Sequence, residues 1–247
     1  MTSRLARYSL AFAIFCALAA IVSGLGYRWG WWSLGWGFGT LRWAAYGAIV
    51  ATALAVAGAV VSRRNRNGRD FASAIIALLV GIATFGLPGM MLIKAERLPS
   101  IHDITTDTTD PPKFVAVLPL RANARNSTDY GGANIAAQQR QAYPEIAPFN
   151  SNVPPDKAFA RALDAARAMG WDIVATAPAD GRIEATDTTL LFGFKDDIVI
   201  RVTPRGTDSS VVDMRSKSRV GKSDVGANAA RIRTYLAALA RAAGRSP

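Results

Sequence analysis

The chain has 247 residues, half of them hydrophobic, and 29 Lys and Arg against 18 Asp and Glu give it a formal net charge of +11. One cysteine, Cys16, and one histidine, His102, exclude a disulfide framework, a thiolate metal site and a multi-histidine zinc centre within one chain. Residues 1–97 hold 10 of the basic residues against Asp70 and Glu96, leaving 19 against 16 for the rest, so the excess charge belongs to the N-terminal part and nucleic acid is not an expected partner.

Residues 8–26, 43–61 and 71–93 contain no Asp, Glu, Lys or Arg, and each reaches the roughly 17–25 residues a helix needs to cross a bilayer. They define a transmembrane anchor over residues 1–97. Arg63, Arg64, Arg66 and Arg69 crowd the segment between the second and third stretches, and Arg4 and Arg7 precede the first, which places both segments on the cytoplasmic side. Arg28, Arg42, Lys94 and Arg97 fall on the other side. The expectation is an integral protein of a bacterial inner membrane with its C-terminal domain extracytoplasmic, in the periplasm. The alternative for the first stretch is a signal peptide cleaved near Ala17-Leu18-Ala19, which leaves the domain facing the same way. Cys16 follows Phe15 where a lipid-attachment box carries a small residue, so a lipoprotein is not expected.

Tyr27, Trp29, Trp31, Trp32, Trp36, Phe38 and Trp43 suit the headgroup layer. A cage for a cationic ligand is the alternative use of such rings. Ala13, Ala17, Ala20 and Gly24, and Ala44, Ala48, Ala51 and Ala55, recur at spacings of three or four and allow close helix approach. Pro88-Gly89 loosens the outer end of the third span. The spans contain no ionisable residue, which argues against a transport path.

Residues 98–153 read as a linker and irregular segment: PSIHDITTDTTDPP leaves the membrane, FVAVLP from Phe114 can add a short strand, and residues 121–155 show little periodicity. Residues 154–247 read as the core of the domain. Pro155 starts a helix that places Phe159, Ala162, Leu163, Ala166 and Met169 on one face before Gly170 ends it. WDIVATA, RIEATDT, DIVIRVT and SVVDMRSKS follow as strands separated by turn signals. A final helix from about Asp224 to Ala243 buries Ala229, Ile232, Leu236 and Leu239. The expected fold is therefore three transmembrane helices followed by a two-layer α+β domain, a four-stranded antiparallel sheet under two helices. Alternation turns Ile198, Ile200, Val202, Val212 and Met214 to the helices and Arg201, Asp213, Arg215, Lys217 and Arg219 to the other face. That second face has no apolar run to cover it apart from residues 121–153.

The strings IHDITTDTTDPP, LLFGFKDDIVIRV and VDMRSKSRVGKSDVGANAARIR resemble the bacterial and plastid family catalogued as domain of unknown function (DUF) 1499. The resemblance spans nearly all of the C-terminal domain. It implies that shared domain behind a membrane anchor and assigns no substrate.

Arg201, Arg215, Lys217, Arg219, Lys222 and Ser223 form the candidate ligand site, because guanidinium forks and a helix start both favour anions. An anionic lipid headgroup, a phosphorylated glycan or another envelope protein would suit it, alongside the membrane lipids around the anchor. The competing expectation is a cross-strand lattice in which Glu184, Asp197 and Asp213 neutralise Arg182, Arg201 and Arg215. SKSRVGKS, residues 216–223, lacks the first glycine of a nucleotide-binding loop. Asp196 and Asp197 point to opposite faces of a strand and do not form an acid pair. No metal and no cofactor is expected, His102 with Asp103 and Asp107 being the set nearest to a cation site. No nucleophile elbow occurs, and Ser216 or Ser218 beside a lysine is the remaining hydroxyl. The leading reading is a non-enzymatic membrane-anchored envelope protein whose outward domain binds a partner or an anionic ligand. Its alternative is an extracytoplasmic hydrolase or transferase using His102, Asp197, Arg201 and Arg215.

Overall fold

The computed structural model describes residues 3–242 and 244. The N-terminal part is three helices, α1 (Ser3–Arg28), α2 (Leu34–Arg64) and α3 (Gly68–Arg97), each long and apolar enough to cross a membrane. At ~1.5 Å per residue they run roughly 39–47 Å, more than the ~30 Å hydrocarbon layer of a bilayer. Small residues set the packing: Ala44, Ala48, Ala51 and Ala55 of α2 are all buried, and Ala13, Ala51, Ala55 and Ala77 form one cluster. On α1 Ala13 and Gly24 of the expected stripe are buried and Ala17 and Ala20 only partly so, with Ala6, Ser9, Cys16 and Ser23 buried beside them. The hydroxyls of Ser9, Thr52 and Thr84 donate to carbonyls three or four residues back, which satisfies them without water. Asp70, 1% exposed in the first turn of α3, accepts from Arg7 at 3.0 Å and from the Asn67 amide at 2.7 Å. α3 runs unbroken through Pro88, which lacks the N–H that the Thr84 carbonyl would accept.

The C-terminal domain carries β1 (Asp103–Thr105), α4 (Gly132–Ala142), β2 (Phe149–Ser151), α5 (Pro155–Ala168), β3 (Asp172–Ala177), β4 (Arg182–Thr188), β5 (Lys195–Pro204), β6 (Ser210–Ser218) and α6 (Ala227–Ala242). The expected last helical residue, Ala243, lies outside the described residues. All strand pairs are antiparallel, and the sheet runs β1-β6-β5-β4-β3. The four-stranded expectation is therefore corrected to six strands. β1 pairs with Arg215–Lys217 and β2 with Ser210–Val212, so the two short strands share the lane beside β6. Three residues cannot display a period of two, and each of these strands owes its pairing to a partner far along the chain. FVAVLP is not a strand: Phe114 and Val117 are buried in irregular backbone leading to a short 3-10 turn over Pro119–Arg121.

The turn before β4 requires glycine. Gly181 has φ +60°, and a Cβ there would lie 2.1 Å from the Val202 carbonyl oxygen. On one face of the sheet, Ile183, Ala185, Ile198, Ile200, Val202, Val212 and Met214 meet Phe159, Ala162 and Ala166 of α5 and Ala229, Ile232, Tyr235 and Leu239 of α6. Ile101, Ile104, Tyr143 and Ile146 join the same core, so residues 98–153 contribute to it as well as β1, α4 and β2. Gln139 of α4, 1% exposed, accepts at its side-chain oxygen from Thr105 N at 3.0 Å and donates from its NH2 to Thr105 O at 2.6 Å. That amide closes the edge of β1 in place of another strand.

Candidate functional site

The second sheet face is not open to water. Residues 106–130 lie over it, and its anchor is Glu184 of β4, 0% exposed, whose carboxylate accepts from the successive backbone N–H groups of Val115, Ala116 and Val117 at 2.9–3.1 Å. Consecutive N–H groups turned to one point make an anion-binding concavity, here filled by the protein's own carboxylate. Arg182 adds an ion pair to Glu184 at 3.4 Å.

Under this cover the charged residues form a closed lattice. The β1–β6 register sets Asp103 opposite Lys217, and its carboxylate accepts from Arg215 Nε at 2.9 Å, Arg215 Nη2 at 2.8 Å and Lys217 Nζ at 2.9 Å. Arg215 also donates to the carbonyls of Pro112 and Thr128 and lies 5.0 Å from the Phe114 ring centroid and 5.5 Å from that of Tyr130. Asp197, 0% exposed, takes Arg121, both Arg219 Nε and Nη2, and the Thr186 hydroxyl. Arg201 meets Asp107, Asp110 and Asp213 at 2.8–3.1 Å, while Thr106 Oγ1 donates to Asp213. Arg121, Arg182, Arg201, Arg215, Lys217 and Arg219 thus face Asp103, Asp107, Asp110, Asp180, Glu184, Asp197 and Asp213. Counting Asp110 and Asp180, which are mostly exposed at its rim, carboxylates outnumber cations by one, so the lattice as a whole holds no spare positive charge for an anion.

Burial opposes the charge on Asp197, but the hydrogen bonds from Arg219 and Thr186, with Arg121 behind them, outweigh it and keep its pKa below the usual carboxylate value. Burial lowers the Lys217 ammonium even against the attraction of Asp103. Burial, reinforced by Asp103, pushes the Tyr130 phenol up to about 12, and its buried hydroxyl has no hydrogen-bond partner among the described residues.

A second polar network lies on the helix side. Arg231 of α6 pairs with Asp187 and Asp196 at 2.7 Å and donates to Ser216 Oγ and Asn228 Oδ1. Ser216 donates to Asn228, and the Asn228 NH2 bonds Ser218 Oγ and the His102 carbonyl. Ser216 and Ser218 therefore bond on the α6 side while Lys217 bonds on the other, and no serine–lysine pair forms. Asp196 and Asp197 are divided in the same way.

The candidate site residues do not converge. Arg215 and Lys217 are buried, Arg219 is mostly so, and Arg201 is about a quarter exposed at its side chain. Lys222 is exposed and Ser223 half-buried, with Ser223 Oγ and the Asp224 carboxylate accepting backbone N–H groups just ahead of α6. His102 is half-buried, its Nδ1 3.2 Å from the Lys222 carbonyl, whereas Asp103 and Asp107 are held by Arg215 and Arg201. Among the described residues no group of three His, Cys, Asp or Glu is placed to hold a metal. His102, Asp197, Arg201 and Arg215 each serve different partners, so the polar set of the hydrolase or transferase alternative is not assembled. Arg121 and Asn228 carry the networks without standing out in the sequence; Glu184 is expected there as a lattice partner of Arg182, which it meets, and only its hold on the N–H groups of residues 115–117 is not foreshadowed. The signal for Arg121 is a charged residue closing the apolar run of residues 114–120.

Two shallow grooves flank residues 110–113. One, of about 380 Å³, is lined by Pro111, Lys113, Val115, Asp180, Arg182 and Arg201; the other, of about 310 Å³, by Lys113, Phe114, Leu118, Thr128, Tyr130 and Arg215 among others. His102 lines neither.

Three apolar helices followed by an antiparallel sheet with a helical layer and a neutralised second face define a membrane-associated protein with an α+β domain. Residues 103–239, more than half of the chain, match the model of the family described as Protein of unknown function (DUF1499), and the chain belongs to that family. No curated protein matches it.

Proposed function

We propose that this is a non-enzymatic envelope protein, anchored in a bacterial inner membrane by α1–α3, whose C-terminal domain stands outside the cytoplasm and binds an anionic partner through its exposed cations. The observation that carries the reading is the charge balance. With the lattice neutralised from within, Lys113, Arg125, Lys195 and Lys222 are among the exposed cations of the domain, as are Arg140, Lys157, Arg205 and Arg241, and none of the first four has a carboxylate within 4.0 Å among the described residues. Three of them belong to one neighbourhood: Arg219 N donates to Lys195 O, and Asn126 N donates to Arg219 O. The anion site thus moves from Arg215 and Lys217 to the rim beside Lys222 and Ser223.

Binding to full-length protein is the test, with phosphorylated glycan and phosphatidylglycerol vesicles as probes. Lys195→Glu with Lys222→Glu is expected to weaken binding at least several-fold without moving Tm, and salt is expected to weaken it too, because exposed charges are screened over ~10 Å at 0.1 M. Failure of every anionic probe at low salt would sink the reading.

A further inference from the structure

Within residues 95–189 and 194–242 the exposed large apolar side chains are Val115, Leu118 and Leu120, at 49%, 44% and 53% accessibility, all in one six-residue run that also holds Pro119. Their exposure is built into the backbone. Glu184 holds the three N–H groups of residues 115–117, Phe114 and Val117 are buried on the inner side, and Arg121 is tied to Asp197 beyond. Clamped at both ends, the run cannot turn its leucines inward without breaking a buried ion pair. Cations lie beside it: Lys113 precedes it by two residues, and Arg219 of the lattice donates to the Leu120 carbonyl at 2.8 Å while its backbone joins Lys195 and Asn126, next to Arg125; the carboxylates of Asp110 and Asp129 line the groove that also holds Leu118 and Lys113.

Resting on the anion-binding reading, we propose that Val115, Leu118 and Leu120 form an apolar tip that enters the headgroup and upper acyl layer of an anionic bilayer, guided by Lys113, Arg125, Lys195 and Lys222. Apolar side chains ringed by basic ones are the chemistry of interfacial lipid binding, in which insertion and attraction to anionic lipid add. Three half-exposed side chains fall well short of the ~800 Å² per partner of a stable protein interface. The bilayer is also the surface always at hand. Residues 98–102, which join α3 to β1, span at most ~18 Å when extended, and so short a tether gives a high effective concentration of membrane.

The test uses the full chain with Cys16→Ala, carrying an environment-sensitive fluorophore at Leu118→Cys or, for reference, at exposed Lys157→Cys on α5, in vesicles of phosphatidylcholine with or without phosphatidylglycerol. With phosphatidylglycerol the label at 118 is expected to shift to the blue and to be quenched by bromine-tailed lipid several-fold more than the label at 157. Lys195→Glu with Lys222→Glu should reduce the difference. A label at 118 as aqueous as that at 157 in every vesicle overturns insertion, and leaves the anion-binding reading standing if phosphorylated glycan still binds. Equal quenching with and without phosphatidylglycerol, untouched by the charge reversals, overturns guidance by the cations and leaves insertion alone standing; the anion reading then falls if phosphorylated glycan also fails to bind.

Discussion

At Asp103 one buried carboxylate serves two buried cations, and this asymmetry sets what each substitution does. Asp103→Ala strands Arg215 and Lys217 beside each other without a counter-charge, and leaving buried charge unpaired is expected to cost ~3–5 kcal/mol. Lys217→Met removes one cation but leaves Asp103 with its two-point contact to Arg215, so the loss is expected to be much smaller. Thermal unfolding of the two variants in the same detergent checks the order, and equal losses would show that Lys217 is needed for more than neutrality. In the sequence Asp103 stands with His102 and Asp107 only as the set nearest to a cation site, because residue types within a few positions are all that spacing reveals. The partner that decides its role is 112 residues away.

At the scale of the element, α6 shows how far periodicity reaches. Apolar spacing identifies Ala229, Ile232 and Leu239, which are all buried, and also Leu236, which is only partly so. The helix is rotated to bury Tyr235 instead, stacked 5.5 Å from Trp171 with its hydroxyl donating to Ala162 O at 3.0 Å, and to aim Asn228 and Arg231 at β5 and β6. A hydropathy pattern passes over Tyr, Asn and Arg, whose burial depends on partners that only the fold brings near. Ile232→Ala is accordingly expected to cost ~2–5 kcal/mol, and Leu236→Ala clearly less, both read from chemical unfolding. A Leu236→Ala loss matching that of Ile232→Ala would place the buried face of α6 one residue further round. β1 and β2 mark the opposite limit, since three residues each carry too little pattern to show.

For the whole molecule the orientation of three crossings decides which chemistry the domain can meet. Arg63, Arg64, Arg66 and Arg69 between α2 and α3 favour a cytoplasmic loop, and Arg7 is drawn to the same end by its bond to Asp70. A phosphatase reporter that works only after export is expected to be active when fused after Pro247 and inactive when fused after Asn67. The reverse pattern would put the domain in the cytoplasm and withdraw the envelope ligand. The apolar spans and the two-faced alternation of β4, β5 and β6 are determined by the sequence alone, because hydropathy and a period of two are properties of neighbouring residues. Only the tertiary structure decided that the charged face is covered and neutral. Its ion pairs join residues 76 and 112 positions apart, and its cover is held by a carboxylate 67–69 positions from the N–H groups it accepts. Charge compensation over such separations is set by strand register and chain path, which no local pattern encodes.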